Sequence, residues 1–219
     1  MRPFDWGWIP QNAGLIAEKL VEHLQLTVIA VAIGLLISLP LGVYSHRHRI
    51  AYPPIVSVTG LLYTIPSLAL FAFLLPWTGL SITTAEIGLV SYTLLILIRN
   101  IVAGLQGVPA DTKEAAVGMG YTPRQLLWRV EMPLALPVII AGVRLATVTT
   151  IGLVTVTSLI GLGGFGFLIL DGFRDLNSSP LVVGAAASTI LAVAMDALLV
   201  GAERRTTPWS RRTGVRAFG

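Results

Sequence analysis

Cysteine is absent from the 219 residues, which excludes disulfides and thiolate metal ligation and leaves the compartment unreadable from redox chemistry. Charge is scarce as well: Asp, Glu, Lys and Arg make up 12% of the chain, against roughly 25% in an ordinary soluble domain. Also missing are a G-x-x-x-x-G-K-[ST] phosphate loop, an H-E-x-x-H zinc motif and a nucleophile elbow, so no catalytic activity, ATP hydrolysis included, is expected of the chain itself. What it has in excess is apolar surface: 54% of residues are hydrophobic and the mean hydropathy is +0.80. These residues come in long blocks rather than at the short alternating spacings of an aqueous core, a composition that belongs in lipid.

The formal charge is +4, but the Lys and Arg residues sit between apolar blocks and at the C-terminus. No basic stripe is interleaved with exposed aromatics, so the charge reads as a topology signal and not as a nucleic-acid surface. Some twenty polar or mixed residues precede the first apolar run, which is too long for the core of a signal peptide; the first span is expected to be retained.

Crossing a hydrocarbon core of about 30 Å takes roughly 20 helical residues at 1.5 Å each. Five stretches qualify, near 22–44, 53–75, 85–108, 134–160 and 180–202. The expected fold is therefore an all-α membrane protein of five transmembrane helices, one domain spanning 1–219. Lipid offers no partners for backbone N–H and C=O groups, so each stretch should be helical even through Pro40, Pro66 and Gly152, which predict kinks or close packing. Basic residues cluster in alternate connectors: His46-Arg47-His48-Arg49, then Lys113, Arg124 and Arg129, then Arg204, Arg205, Arg211, Arg212 and Arg216. These are expected on the cytoplasmic side, with the N-terminus outside and the C-terminus inside.

The connector at 109–133 is too long for a simple turn and too well patterned for disorder. Asp111 with Glu114 suggests a capping box opening a short helix, which Gly118 and Gly120 can interrupt. Thr122-Pro123-Arg124-Gln125 repeats the signal more completely, with a Thr cap, Pro at the first helical position and Gln three residues on. Leu126, Leu127 and Val130 then cluster at helical spacing while Arg124, Arg129 and Glu131 stay polar, and Pro133 should end the second helix.

Several residues invite a chemical reading. Gly161-Leu162-Gly163-Gly164-Phe165-Gly166 matches G-x-G-x-x-G, but it follows a membrane helix and not a strand, so its glycines are read as a tight external turn. His46 and His48 lack a third metal ligand and have arginine neighbours, so they are read as a solvated loop. Arg99, Arg144 and Asp196 fall inside spans, where snorkelling or helix pairing competes with a part in a passage. Tyr63, Thr64, Pro66 and Ser67 in the second span, Arg99 and Asn100 in the third, and Thr150 and Thr157 in the fourth form a polar set. Singly, each Ser or Thr is read as packing; only the set suggests a lined pathway.

Glu114-Ala115-Ala116, three residues, Gly120, then Met132-Pro133-Leu134-Ala135-Leu136-Pro137 resembles the E-A-A loop of binding-protein-dependent ABC importer permeases, with Met132 where that family has leucine or its like. The resemblance implies a coupling helix docking on a separate ATPase subunit, with Glu114, Ala115, Ala116, Gly118, Gly120, Leu126, Leu127 and Pro133 as its residues. It implies ATP and magnesium on that partner with no cofactor on this chain, a second permease copy or paralogue, an external binding protein, and the cytoplasmic membrane of a bacterium. Tyr63-Thr64-Ile65-Pro66-Ser67-Leu68-Ala69, Ile98-Arg99-Asn100 and Leu159 to Gly166 are similar to the osmoprotectant branch, which imports glycine betaine, choline, carnitine or related quaternary amines. An amino acid or amino-acid betaine as cargo, and a self-sufficient carrier or channel, are the rival readings.

Overall fold

The computed structural model describes residues 3–209. In chain order the helices are α1 (Trp8–Gln11), α2 (Ala13–Arg47), α3 (Tyr52–Thr64), α4 (Ser67–Thr78), α5 (Ile82–Gln106), α6 (Ala110–Gly118), α7 (Pro123–Leu126), α8 (Met132–Val156), α9 (Phe165–Arg174) and α10 (Ser178–Thr206). No strand occurs among the described residues, so the G-x-G-x-x-G string has no strand to follow. Among the described residues four helical runs are long and apolar enough to cross a membrane: α2, α5, the continuous run from Pro123 to Ile160, and α10. A bent pair, residues 49–64 and 67–78, supplies the fifth when counted as one span.

That second span differs from the unbroken helix expected at 53–75. Its halves meet at 95°, with Ile65 at ψ 127° and Pro66 at ψ 134°, both outside the helical region. The proline ring disfavours a helical residue before it and brings no N–H of its own. The hydroxyl of Tyr92 on α5 donates to the Ile65 carbonyl, so this interruption keeps a hydrogen-bond partner. At Pro40 the helix continues, as it does through Gly152.

The first helix also begins earlier than expected. Its N-terminal turns carry polar residues held by local pairs, such as Lys19 with Glu22 at 2.8 Å, so the helix outruns the apolar block. The amphipathic α9, in the connector before α10, was not anticipated.

α5 is the most buried span and packs against α2, α3, α4 and α8. Small residues let these backbones approach. A Cβ on Gly34 would stand 1.9 Å from the Thr93 hydroxyl, and one on Gly142 only 2.4 Å from the Asn100 Cβ. α10 lies outermost, with Val182, Ile190, Val193 and Leu198 exposed. It is tied to α8 by Arg144, whose Nε and Nη2 donate to the two Asp196 carboxylate oxygens at 2.9 and 3.2 Å while Nη1 reaches Glu203 at 3.2 Å. Arg144 and Asp196 are thus a helix pair.

On α2, fully buried His23 faces the Ile151 carbonyl through Nε2 at 3.0 Å, and its Nδ1 lies 3.3 Å from the Phe165 amide. A carbonyl only accepts, so Nε2 carries the proton and Nδ1 receives the amide's. One imidazole therefore joins α2, α8 and α9. Of the basic tail, Arg204 and Arg205 lie in the last turn of α10, whereas Arg211, Arg212 and Arg216 fall outside the described residues.

Candidate functional site

α6 opens without the capping box expected at Asp111 and Glu114: Pro109 is its N-cap, no side chain caps it, and Asp111 lies in the first turn, where its charge still favours the helix dipole. The helix ends in a full C-terminal motif. The Tyr121 amide donates to the Ala116 carbonyl at 3.1 Å and the Gly120 amide to that of Val117 at 2.9 Å. Gly120 sits at φ +83°. This is the Schellman arrangement, with glycine at the one position that needs left-handed backbone. Gly118 has no such requirement; a Cβ there would meet nothing within 4 Å.

Of α6 only Ala116 is buried, 2% exposed, while Lys113 is half-buried. Glu114, Ala115, Val117 and Met119 are exposed, so an acidic side chain, a small residue and two apolar ones share the outer surface. α7 begins with the capping box expected of it: the Thr122 amide donates to Gln125 Oε1 at 2.9 Å and the Gln125 amide to the Thr122 hydroxyl at 3.4 Å.

Pro133 does not end this second helix. α7 runs through a π turn, Leu127–Glu131, into α8 at Met132. The wider turn lies where the proline's missing N–H and its ring would otherwise disrupt the ladder, so the chain stays helical past Pro133. Leu127 is buried and Leu126 half-buried, while Arg124 and Arg129 are exposed.

Glu131 departs most from its expected place on a polar outer face. It is 6% exposed and its Oε1 lies 3.2 Å from Lys113 Nζ and 3.4 Å from His46 Nε2. Lys113 also donates to the Leu105 carbonyl at 3.2 Å. His46 is accordingly half-buried against the start of α8 and is no solvated loop residue; His48 is exposed. Nearby, Arg47 donates to the Pro123 carbonyl at 2.7 Å. The ends of α2 and α5, Lys113 of α6, and the α7–α8 run therefore meet at one cluster of polar contacts.

The other polar residues divide. Tyr63, Thr64 and Pro66 are exposed around the α3–α4 break, Ser67 is half-buried, and the Tyr63 and Tyr92 rings stand edge to face at 5.9 Å. Arg99 is exposed on α5, with Leu97 and Ile98 fully enclosed beside it. Asn100 bonds the Ile96 carbonyl on its own helix and packs on Gly142. Thr150 is 1% exposed and Thr157 is fully buried, donating to the Val154 carbonyl.

Residues 27–208 match the family of binding-protein-dependent transport system inner membrane components. The chain belongs to that family. This permease is 37% identical over 201 residues to the choline transport system permease protein OpuBB of Bacillus subtilis, covering 92% of this chain and 93% of that one. It is 35% identical to the glycine betaine/carnitine/choline transport system permease protein OpuCB of the same organism, over 92% and 93%. To the osmoprotectant import permease protein OsmW of Salmonella typhimurium it is 38% identical, over 86% and 90%. Among solved structures, an inward-facing MetNI methionine ABC transporter superposes with a TM-score of 0.79 at 21% identity, covering 90% of this permease and 98% of that chain. An amino acid ABC transporter solved with histidines gives 0.72 at 22%, over 93% and 100%. At these identities the two structures speak for the fold alone.

Two features of the permease escaped the sequence reading. The Lys113–Glu131–His46 cluster spans 85 positions, so no local pattern marks it. Glu86, within the third span, was detectable as an acidic residue in an apolar run. It is 9% exposed, and both carboxylate oxygens are buried without a partner among the described residues.

Proposed function

We propose that this permease is the membrane subunit of an ATP-driven importer carrying a quaternary ammonium osmoprotectant such as glycine betaine, choline or carnitine. The observation that carries the subunit reading is α6: an E-A-A helix closed by Gly120, with Glu114, Ala115, Val117 and Met119 outward and Lys113 and Ala116 inward. Such a face can seat in a groove of an ATPase subunit, where the small Ala115 permits close approach and Glu114 can meet a basic or N–H partner. The cargo reading rests on the relatives named above. The permease itself binds no ATP and catalyses nothing; ATP and magnesium reside on the ATPase. A second permease, identical or paralogous, and an external binding protein complete the assembly.

The clustered basic residues of the α2 end and of 109–133 face the cytoplasm in this reading, which puts the N-terminus outside and the C-terminus inside a bacterial cytoplasmic membrane. ATP-driven closure of the ATPase pair moves α6, and Lys113, Glu131 and Arg47 pass that movement to α8 and α2. Tyr63, Thr64, Pro66, Ser67 and Arg99 line the passage formed with the second permease, since broken helix at membrane depth is tolerated where it borders a cavity. Asn100, Thr150 and Thr157 hold the helices that carry it.

The test is ATP-dependent uptake of labelled glycine betaine, choline and carnitine into vesicles holding the permease with its ATPase and binding protein. Uptake of any of the three supports the reading. ATPase association with no uptake of any discards the cargo, and flux without an ATPase discards the subunit role. A Glu114→Arg variant should assemble but lose substrate-stimulated ATP hydrolysis; undiminished stimulation would refute the role given to α6.

A further inference from the structure

Between the last turn of α2, the first of α3, the end of α5 and the start of α6 lies a cavity of about 430 Å³ lined by Ser45, His46, Arg49, Tyr52, Gln106 and Lys113. None of the six is apolar, unlike the clefts elsewhere on the bundle, and their side chains are rich in donors. Ser45 is 1% exposed, yet its hydroxyl is buried without a hydrogen-bond partner among the described residues, as is His46 Nδ1. Unpartnered buried polar atoms are costly and call for an occupant. Lys113 and His46 share the Glu131 carboxylate, so the Lys113 charge is partly offset. Arg49 has no ion pair or hydrogen bond among the described residues and leaves the cavity positive.

A guanidinium, an ammonium, two hydroxyls and an amide around one space match an anion with several acceptor oxygens, and a planar guanidinium suits phosphate in particular. A carboxylate from the transported solute would use fewer of these donors. The position, at helix ends on the side read as cytoplasmic, is the depth of lipid phosphates, and basic pockets between membrane helices there take anionic headgroups. We propose that this cavity is a binding site for a phosphate group, carried either by an anionic phospholipid or by a soluble phosphate. Its sidedness rests on the permease reading; its chemistry does not. Because Lys113 belongs to both the cavity and the Glu131 cluster, a bound phosphate offers that ammonium a third acceptor beside Glu131 and the Leu105 carbonyl, and so bears on how α6 is held.

The assembled transporter is reconstituted in nanodiscs of phosphatidylcholine with or without phosphatidylglycerol. Retained phosphatidylglycerol is counted by native mass spectrometry, and radiolabelled orthophosphate binding is measured in the phosphatidylcholine discs. Wild type should bind one phosphate group per permease, about tenfold more tightly than Arg49→Gln, as befits loss of one charge-assisted contact. Arg49 is exposed and unpaired, so this variant should fold; Tyr52→Phe, removing one donor, should weaken binding less. Retention of the lipid alone marks a headgroup site, and saturable orthophosphate binding marks a soluble-anion site. No saturable binding of either, or equal binding by wild type and Arg49→Gln, overturns the proposal. Binding is read without transport, so failed uptake with intact binding counts against the importer and leaves the site standing.

Discussion

Replacing Lys113 by methionine keeps most of its apolar stem but removes the ammonium 3.2 Å from the Glu131 carboxylate. At that separation two unit charges in a medium of effective dielectric about 20 attract by about 5 kcal/mol before desolvation. The Lys113 side chain is 25% exposed and that of Glu131 8%, so water screens one side of the pair, and about 2–3 kcal/mol should remain. His46 at 3.4 Å compensates only in its charged form. The assay is reversible unfolding of the purified permease by a denaturing detergent, performed on wild type, Lys113→Met, Glu131→Gln and the double variant. Each single change should lower stability, and the double variant should be less impaired than the sum by about 2–3 kcal/mol, because the second substitution removes a charge the first had orphaned. Additivity within about 0.5 kcal/mol would show that the two residues are not an energetic unit and would refute this account of the junction.

Three further outcomes follow from individual positions. Gly120→Ala should destabilise by about 1–2 kcal/mol, the cost of left-handed backbone for an L-residue, while Gly118→Ala, in helical backbone with open space, should be neutral or stabilising by up to about 1 kcal/mol; equal effects in thermal unfolding would contradict the Schellman assignment. Arg144→Gln leaves two carboxylates, Asp196 and Glu203, without their shared cation. Adding Asp196→Asn to it should recover part of the lost thermal stability, and no recovery would deny the pairing. Arg99→Gln should reduce uptake of the zwitterions glycine betaine and carnitine more than uptake of choline, which has no carboxylate for a guanidinium to meet; an equal reduction for all three would remove Arg99 from substrate contact.

How much of this was legible depended on how local the cause was. Hydropathy located the membrane segments because lipid imposes one requirement on every residue of a span. The Thr122–Gln125 cap was readable because both partners lie within one turn. Proline misled twice, in opposite senses. Pro66 was expected to kink a span and instead broke it, with the Tyr92 hydroxyl from another helix meeting the Ile65 carbonyl. Pro133 was expected to stop a helix and instead follows a π turn that absorbs the defect. Either result requires knowing what lies beside the proline, which residue type does not reveal. Glu131 looked solvated because it reads with Arg124 and Arg129 as the polar face of a short helix, while its true partners come from α2 and α6.

These differences bear on how a push on α6 would travel. α2, α5 and α8 approach one another at glycines where even one added carbon would collide, as Gly34 does with Thr93 and Gly142 with Asn100, so each seam resists sliding. α6 has one buried side chain, Ala116, and is held largely through Lys113 to the Leu105 carbonyl of α5 and to Glu131. A tightly packed trio joined to a lightly packed helix by a few polar contacts moves as a body when that helix is displaced. The α3–α4 elbow, with its 95° bend, packs directly on α5, where the Tyr92 hydroxyl meets the Ile65 carbonyl and the Tyr63 ring stands against that of Tyr92. Reorientation would therefore change the surroundings of Tyr63, Thr64 and Pro66 without unpacking the helices that deliver the force.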